Sequence, residues 1–162
     1  MSVPHLSIVV PCYNESRNIP LLLERFEKVW RKQPAIEVVI VNNGSRDDSA
    51  EVLKSLASQY SFLKVVTVPV NQGYGFGILT GLQAASGDYL GWTHADLQTD
   101  PQDIVRAYEI IQQQHFPEYI YVKGRRHNRP LADVFFTIGM TCFEWIYLGQ
   151  WLFDINAQPN IF

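Results

Sequence analysis

The sequence predicts an α/β fold with three layers (α/β/α) and a mostly parallel central sheet. Short runs rich in β-branched residues alternate along the chain with longer segments whose apolar residues recur every three or four positions. This alternation is typical of parallel strands joined by crossover helices. The chain has 162 residues, enough for one domain with a substantial core, and no repeat or low-complexity linker divides it.

The first part of the chain contains three predicted strands and two predicted helices. Strands are expected at residues 6–10, 36–41 and 63–68, where valine and isoleucine dominate. The first helix carries apolar residues at helical spacing from Ile19 to Trp30, with charged residues on its other face. The second helix is expected to follow Ser45, because a serine hydroxyl is a favourable N-terminal cap.

The second part of the chain continues the alternation. A helix that opens with glycine is expected at residues 73–86, and strands are expected at residues 88–93 and 119–123. Asp100 followed by Pro101 indicates a helix start between those two strands. The last residues, 159–162, have the composition of a further strand. We therefore expect a single domain over residues 1–162 that is truncated at its C-terminus.

Composition and charge exclude several classes of protein. A hydrophobic share of 47% with a net charge of -3 indicates a globular chain and argues against a general nucleic-acid binder. Cys12 and Cys142 have neither metal-ligand nor disulfide-framework spacing, so reduced thiols in the cytoplasm are expected. The first residues lack a basic segment before their apolar run, so no signal peptide is expected.

Unusual polar segments follow four of the predicted strands. In open α/β sheets, ligands bind beyond the carboxyl ends of the strands, so these segments are expected to form one pocket. A dinucleotide-binding G-x-G-x-x-G turn after the first strand and a P-loop are both missing from the sequence. The four segments are Pro11-Cys12-Tyr13-Asn14-Glu15, Asn42-Asn43-Gly44-Ser45, His94-Ala95-Asp96-Leu97-Gln98 and Lys123-Gly124-Arg125-Arg126.

Three of these segments, together with Asn71-Gln72-Gly73-Tyr74-Gly75, resemble in order and spacing the motifs of the family 2 glycosyltransferases, which have the glycosyltransferase A fold. The resemblance covers roughly residues 6–126 and is closest to the dolichyl-phosphate mannose synthase and polyprenyl-phosphate sugar transferase branch. It implies an inverting, metal-dependent enzyme. Such an enzyme transfers a sugar from a nucleoside-diphosphate sugar to an acceptor, here expected to be a polyprenyl phosphate.

The resemblance also implies which residues hold the nucleotide sugar. Relatives usually carry two aspartates where this chain has Asn42 and Asn43, and an asparagine can still accept a hydrogen bond although it also donates. An Asx turn at the strand end is the alternative for these asparagines. Core packing is the alternative for Tyr13, and a helix-start charge for Glu15. The implied set is Pro11, Cys12, Tyr13, Glu15, Asn42, Asn43, Gln72, Gly75 and Ala95.

His94, Asp96 and Gln98 form the implied site for a divalent cation, manganese or magnesium. The cation would neutralise the charge that develops on a diphosphate leaving group. Asp96 is the main expected ligand, because both ions bind carboxylate oxygens. His94 replaces the first aspartate of the family's Asp-x-Asp motif, and an imidazole suits manganese better than magnesium. Simple packing of His94 beside Trp92 is the alternative.

Asp96, Arg125 and Asp154 are the expected catalytic residues. Arg125 matches the family's Gly-x-Arg position, where paired guanidinium donors suit a phosphate, and a solvated loop is the alternative. Asp154 matches an acidic loop beside the acceptor. It is interpreted as a general base, an acceptor-positioning group or only a helix-ending residue.

Residues 1–126 are expected to bind the nucleotide sugar, and residues 127–162 to form the acceptor side. Segment 131–153 is apolar except for a narrow polar stripe, and its two acidic residues argue against a membrane-spanning helix. It is interpreted either as a helix on the membrane surface or as one buried against a missing segment or a partner subunit. We expect a cytoplasmic protein that is peripheral at the inner membrane surface. Both a monomer and a homo-oligomer are compatible with the sequence.

Two other functions fit fewer of these residues. A non-catalytic nucleotide-sugar-binding or scaffolding protein would explain the departures at His94, Asn42 and Asn43. A nucleotidyltransferase also uses carboxylates and a metal on an α/β sheet. Its glycine-rich, lysine-bearing loop near the first strand is missing here.

Overall fold

The computed structural model describes residues 5–125, 137–139, 141, 142, 145–147, 149 and 157–162. Within these residues the strands are β1 (Leu6–Cys12), β2 (Ile36–Asn43), β3 (Leu63–Val68), β4 (Tyr89–Trp92), β5 (Val122–Lys123) and β6 (Asn160–Ile161). The helices between the strands are α1 (Asn18–Trp30), α2 (Ser49–Leu56), α3 (Tyr74–Ala84) and α4 (Pro101–Gln113).

The strands form one sheet in the order β3-β2-β1-β4-β6-β5. Strands β1 to β4 are mutually parallel, whereas β6 runs antiparallel to both of its neighbours. The prediction of a mostly parallel sheet is therefore confirmed, as is the strand expected in the last four residues. The strand order reverses between β1 and β4, because the chain adds strands first on one side of β1 and then on the other. Ligands bind in the crevice at such a reversal.

Both faces of the sheet carry apolar residues, and helices pack on each face to form the three layers. Alternate residues of a strand point to opposite faces. On β1, Ile8 and Val10 belong to the core beneath α1, α2 and α4, whereas Val9 belongs to the core beneath α3. Strand β2 divides in the same way between Ile40 and Val41.

Helix α3 lies very close to the sheet because two of its inward positions are glycine. A Cβ added at Gly81 would lie 2.9 Å from the Val41 side chain and nearer still to Val9. A Cβ added at Gly77 would lie 3.0 Å from the Pro11 side chain. Both glycines are buried, so there is no room into which a larger side chain could turn. The close contact holds the N-terminal end of α3 over the ends of β1 and β2.

The structure corrects two of the predicted boundaries. Helix α2 begins at Ser49 rather than directly after Ser45, whose hydroxyl instead accepts a hydrogen bond from the backbone N–H of Asn14 at 3.1 Å. The strand expected at residues 119–123 is only Val122–Lys123, because its partner β6 is also two residues long. The predicted cap at Asp100 is confirmed, since its carboxylate accepts a hydrogen bond from the backbone N–H of Gln102 at 3.0 Å.

Candidate functional site

A cavity of about 360 Å³ lies at the carboxyl ends of β1, β2 and β4, where the strand order reverses. We call it the donor cavity. Four separate segments of the chain line it, so it exists only in the folded protein. Its lining includes seven of the predicted site residues, namely Pro11, Cys12, Tyr13, Glu15, Asn43, Ala95 and Asp96, together with Asn71, Gly73 and Tyr74.

The other predicted residues do not line this cavity. Asn42 is buried, and its side-chain oxygen accepts a hydrogen bond from the backbone N–H of Ser45 at 3.2 Å, three residues on rather than the two of an Asx turn. Gln72 and Gly75 are exposed beside the cavity. Arg125 lines a second cavity of about 250 Å³. Asp154 lies outside the described residues, and its role stays a prediction.

Gln72 and Gly75 are predicted from the motif at residues 71–75. The structure shows that the other three residues of this motif, Asn71, Gly73 and Tyr74, line the cavity instead. Helix α3 begins at Tyr74, so Gly73 is the last residue before the helix. The Asn71 side chain accepts a hydrogen bond from the backbone N–H of Gly73 at 2.8 Å. That asparagine two residues before a glycine was the available signal for this turn.

The Asn43 residue lines the donor cavity and its side chain carries an unpaired acceptor. Its amide nitrogen donates to the backbone oxygen of Gly73 at 2.9 Å. Its amide oxygen is buried and has no hydrogen-bond partner among the described residues. A buried polar atom without a partner costs about 1–3 kcal/mol. Asn43 therefore carries a hydrogen-bonding capacity that the described residues leave unused, although this oxygen itself has almost no accessible surface.

The loop after β1 is fastened to the loop after β2 by an arrangement that we call the loop clamp. Three consecutive backbone N–H groups of the first loop donate to side chains of the second loop. The clamp fixes the segment that carries Tyr13 and Glu15 into the cavity. The three pairs are Asn14 with the Ser45 hydroxyl, Glu15 with the Ser49 hydroxyl and Ser16 with the Asp47 carboxylate, at 3.1, 3.0 and 3.1 Å.

Asp47 organises the loop clamp. Besides the Ser16 N–H, its carboxylate accepts hydrogen bonds from the backbone N–H of Ser49 at 3.1 Å and from the Ser49 hydroxyl at 2.6 Å. Desolvation by itself would raise the pKa of Asp47, but the hydrogen bonds from Ser49 and Ser16 outweigh it and lower the pKa to about 2. The carboxylate is therefore charged at neutral pH, when its acceptor bonds are strongest.

Cys12 forms part of the cavity wall and is not a nucleophile. Burial, together with the negative charges of Glu15 and Asp47, raises the pKa of its thiol to about 12. A thiol reacts as its thiolate, which is scarce at neutral pH when the pKa is this high.

His94 sits in a side-chain cluster with Tyr74 and Gln158, which we call the His94 cluster. Its ring stacks on the Tyr74 ring with centroids 5.2 Å apart. Its Nδ1 lies 3.2 Å from the Tyr74 hydroxyl, and its Nε2 lies 3.0 Å from the Gln158 side-chain nitrogen, which also donates to that hydroxyl at 3.1 Å. Both ring nitrogens are therefore engaged. Ligation of a metal by His94 would require one of these contacts to break.

Asp96 presents a carboxylate to the donor cavity. One of its oxygens accepts a hydrogen bond from the backbone N–H of Gln98 at 3.1 Å, and Gln98 itself is exposed. Across the described part of the chain, no three His, Cys, Asp or Glu side chains converge as a metal site. The residues fit a cation held by one carboxylate together with diphosphate oxygens, as magnesium commonly is. They do not fit a cation held by the protein alone.

The described residues between 137 and 147 form helical turns with an unusual distribution of exposure. Thr137 and Thr141, two of the few polar residues of segment 131–153, are buried. Ile146 and Tyr147 are 73% and 75% exposed, so the apolar side faces outward. Among the helices described, none has the length and hydrophobicity needed to cross a membrane.

Comparisons with known proteins agree with this geometry. The sequence matches the family described as "Glycosyl transferase family 2" over residues 7–150. An undecaprenyl-phosphate 4-deoxy-4-formamido-L-arabinose transferase of Pseudomonas paraeruginosa is 41% identical over 127 residues, which is 76% of this chain and 36% of the relative. A similar transferase of Sodalis glossinidius is 35% identical over 132 residues, 80% of this chain and 39% of the relative.

Among solved structures, one similar fold is that of glucosyl-3-phosphoglycerate synthase from Mycobacterium tuberculosis, with a TM-score of 0.69 and 19% identity. That structure is a complex with Mn²⁺, uridine diphosphate (UDP) and glucosyl-3-phosphoglycerate. The alignment covers 99% of this chain and 56% of that one. This likeness confirms the predicted glycosyltransferase A fold. The chain spans little more than a third of the length of the curated relatives, whose names confirm the predicted polyprenyl-phosphate branch. Because the family match covers most of its residues, the chain belongs to glycosyl transferase family 2.

Proposed function

We propose that this chain is the donor-binding part of an inverting glycosyltransferase that moves a sugar from a nucleoside-diphosphate sugar to a polyprenyl phosphate, with a divalent cation. The observation that carries the proposal is the donor cavity, which brings Tyr13, Asn43 and Asp96 together at the strand reversal. The Tyr13 ring is suited to stack on a nucleobase, and the Asn43 amide oxygen would accept from the N–H group of that base. The Asp96 carboxylate is suited to a metal-bound diphosphate.

Asn43 and Tyr13 are the proposed contacts of the nucleobase. The unpaired Asn43 oxygen would accept the ring N–H of uracil, which relieves the cost of leaving it buried without a partner. Tyr13 is 40% exposed, so its ring has a free surface for stacking. Glu15, held to Asn18 by a 2.6 Å hydrogen bond, would accept from a ribose hydroxyl. Solved relatives contain UDP or a GDP sugar, which supports a nucleoside diphosphate as the ligand class.

Asp96 is the proposed protein ligand of the cation, with Gln98 beside it. The cation, when bound, supplies Lewis-acid stabilisation of the diphosphate leaving group. The chain's own contribution is to hold the diphosphate at the N-terminal end of α3, where Gly73 and Tyr74 line the cavity. A phosphate acceptor carries an anionic oxygen already, so attack on the sugar needs no general base. Attack from the face opposite the leaving group inverts the anomeric centre.

The acceptor side is proposed from two features. Arg125 and Lys123 line the second cavity with Arg106, whose guanidinium is paired with the Asp103 carboxylate at 2.8 Å in the same wall, so the cavity carries a net positive charge suited to a phosphate. The exposed Ile146 and Tyr147, above buried threonines, supply an apolar surface of the kind that lies on lipid. Together they support a protein that works at the membrane surface on a lipid phosphate.

Calorimetric titration with UDP tests the donor part of the proposal. Wild-type protein is expected to bind UDP more tightly with Mn²⁺ than with a chelator. Asp96→Asn should remove the gain from Mn²⁺ and leave metal-free binding nearly unchanged. Asn43→Leu should weaken binding roughly 5- to 150-fold, because about 1–3 kcal/mol is at stake. Asp88→Asn, an exposed carboxylate at the opposite end of the sheet, is the control. Absence of UDP and GDP binding would overturn the proposal.

Transfer itself is tested by incubating the protein with radiolabelled nucleotide sugars and undecaprenyl phosphate in detergent. Label in the lipid fraction that depends on both Mn²⁺ and Asp96 is the expected result. Nucleotide binding that Mn²⁺ does not affect, without transfer, would instead support a non-catalytic nucleotide-sugar-binding protein. The engaged nitrogens of His94 are the observation that favours this second candidate.

A further inference from the structure

The antiparallel return of the chain in β6 brings a distant segment to the donor cavity. In the pairing of β4 with β6, Trp92 lies opposite Asn160. Continuing this register by two residues places Gln158 opposite His94. The residues just before β6 therefore lie at the carboxyl end of β4, beside the cavity, although Gln158 follows His94 by 64 positions.

Few backbone contacts hold β6 at this end. The strand is two residues long, and reciprocal backbone hydrogen bonds between Leu90 and Phe162, at 2.9 and 2.8 Å, extend its pairing with β4 only at the end away from the donor cavity. Beyond the strand, the backbone N–H of Gly124 donates to the oxygen of Pro159 at 2.8 Å. The Asn160 side chain accepts a hydrogen bond from the Tyr121 hydroxyl at 2.7 Å and donates to the Ala157 oxygen at 3.1 Å. The Gln158 side chain is the attachment that reaches the donor cavity, because it contacts both His94 and Tyr74.

The His94 ring has no nitrogen available for another ligand. Nδ1 faces the Tyr74 hydroxyl and Nε2 faces the Gln158 amide. Either orientation of the Gln158 amide keeps Nε2 in a hydrogen bond, because its nitrogen or its oxygen can pair with the matching imidazole tautomer. The stacked Tyr74 ring covers one face of the imidazole. The ring is thus fixed on three sides by side chains from two other segments.

We propose that His94 is a positioning residue that fastens the segment before β6 to the donor cavity through Tyr74 and Gln158, and that it does not ligate the cation. Tyr74 is a wall of the donor cavity, so a fixed Tyr74 ring gives a cavity that is already shaped before the nucleotide arrives. This inference rests on the proposed function, because it takes the ligand of the cavity to be a nucleoside diphosphate.

A positioning residue and a metal ligand have different thermodynamic signatures. Removal of a metal ligand reduces the gain in UDP affinity that Mn²⁺ provides and leaves metal-free affinity unchanged. Removal of a positioning residue weakens metal-free affinity, because Tyr74 must then be ordered on binding, and leaves the gain from Mn²⁺ unchanged. The two roles are separated by four dissociation constants, measured for two proteins with and without Mn²⁺.

The experiment is UDP calorimetry on wild type, His94→Ala, Gln158→Ala and Tyr74→Phe, each with Mn²⁺ or with a chelator. His94→Ala and Gln158→Ala are expected to weaken metal-free binding about fivefold, the equivalent of roughly one hydrogen bond. The gain from Mn²⁺ should stay within about twofold of wild type in both. Asp96→Asn should show the opposite pattern. Gln113→Ala changes an exposed glutamine at the end of α4 and is the matched control.

Hydrogen exchange of the amides at residues 160–162 is the second readout. It should accelerate in His94→Ala and Gln158→Ala and remain at the wild-type rate in Gln113→Ala. Tyr74→Phe keeps the stacked ring and loses only the hydroxyl, so it tests the cluster even where His94→Ala fails to fold. Its metal-free affinity and its exchange at residues 160–162 should move in the same directions as in His94→Ala, by smaller amounts.

Two results would overturn the inference. One is a His94→Ala protein that keeps its metal-free affinity and loses the gain from Mn²⁺. The other is unchanged exchange at residues 160–162 together with unchanged UDP affinity in His94→Ala. A wild-type protein that binds neither UDP nor GDP would instead overturn the proposed function. The exchange measurements would still report whether His94 holds the segment before β6.

Discussion

Replacing Asp47 by alanine removes the centre of the loop clamp. The carboxylate accepts three hydrogen bonds, from the backbone N–H groups of Ser16 and Ser49 and from the Ser49 hydroxyl. At about 1 kcal/mol for each bond, the loss approaches 3 kcal/mol. Water can reach this partly exposed site and replace some of the bonds, so we expect a loss of about 2 kcal/mol in the free energy of unfolding.

Urea unfolding followed by tryptophan fluorescence measures this loss. Asp48→Ala is the matched control, because the neighbouring Asp48 is exposed and its side chain makes no capping hydrogen bond. The control should lose less than about 1 kcal/mol, the value of one charge at a helix start. UDP affinity should fall in Asp47→Ala and not in Asp48→Ala, because only the former releases Tyr13 and Glu15. Equal stability and equal UDP affinity of the two variants would refute the reasoning.

The free energy of unfolding measured at acidic pH provides an independent check on Asp47. The pKa of Asp47 in the folded protein is about 2, below its ordinary value of 3.8. The charged carboxylate therefore contributes stability that is fully present above about pH 4 and is lost as the pH falls towards 2. The stability difference between wild type and Asp47→Ala should shrink over that interval. A constant difference would mean that the charge of Asp47 does not stabilise the fold.

Three further predictions concern other parts of the molecule. Gly81→Ala should lower the free energy of unfolding by about 1–3 kcal/mol in urea titrations, because its Cβ meets β1 and β2; a more stable variant would contradict the close packing of α3. Iodoacetamide at pH 8 should label the exposed Cys142 and leave the buried Cys12 unmodified until urea unfolds the protein. Mass spectrometry of the peptides measures the labelling, and early labelling of Cys12 would refute its high pKa. Ile146→Asp should reduce sedimentation with vesicles that contain undecaprenyl phosphate several-fold, and unchanged sedimentation would count against membrane contact.

Much of the donor cavity could be predicted from the sequence. Strand and helix periodicities are local signals, and in a parallel sheet they place the ends of β1, β2 and β4 at one edge. Tyr13, Asn43 and Asp96 were assigned to one pocket on this basis, and the structure brings them together. The start of α4 at Asp100 and Pro101 was equally local, because a capping side chain contacts its own helix.

Neighbouring residues with the same chemistry could not be told apart from the sequence. Asn42 and Asn43 are adjacent on β2, so their side chains point to opposite faces of the sheet. Asn42 closes a turn with Ser45, whereas Asn43 lines the donor cavity and carries an oxygen that the described residues leave unpaired. Which of the two faces the ligand depends on which side of the sheet α3 covers.

The sequence by itself determined the α/β class, the family and the edge of the sheet that carries the chemistry, because periodicity and motif spacing act over a few residues. The tertiary structure alone decided the partners of His94, since Gln158 reaches it through an antiparallel strand that returns from 64 positions away. It also decided that Asp47 and Ser49 hold the loop of Tyr13 and Glu15. Long-range pairing and hydrogen bonds between loops depend on how the elements pack, and no local pattern encodes them.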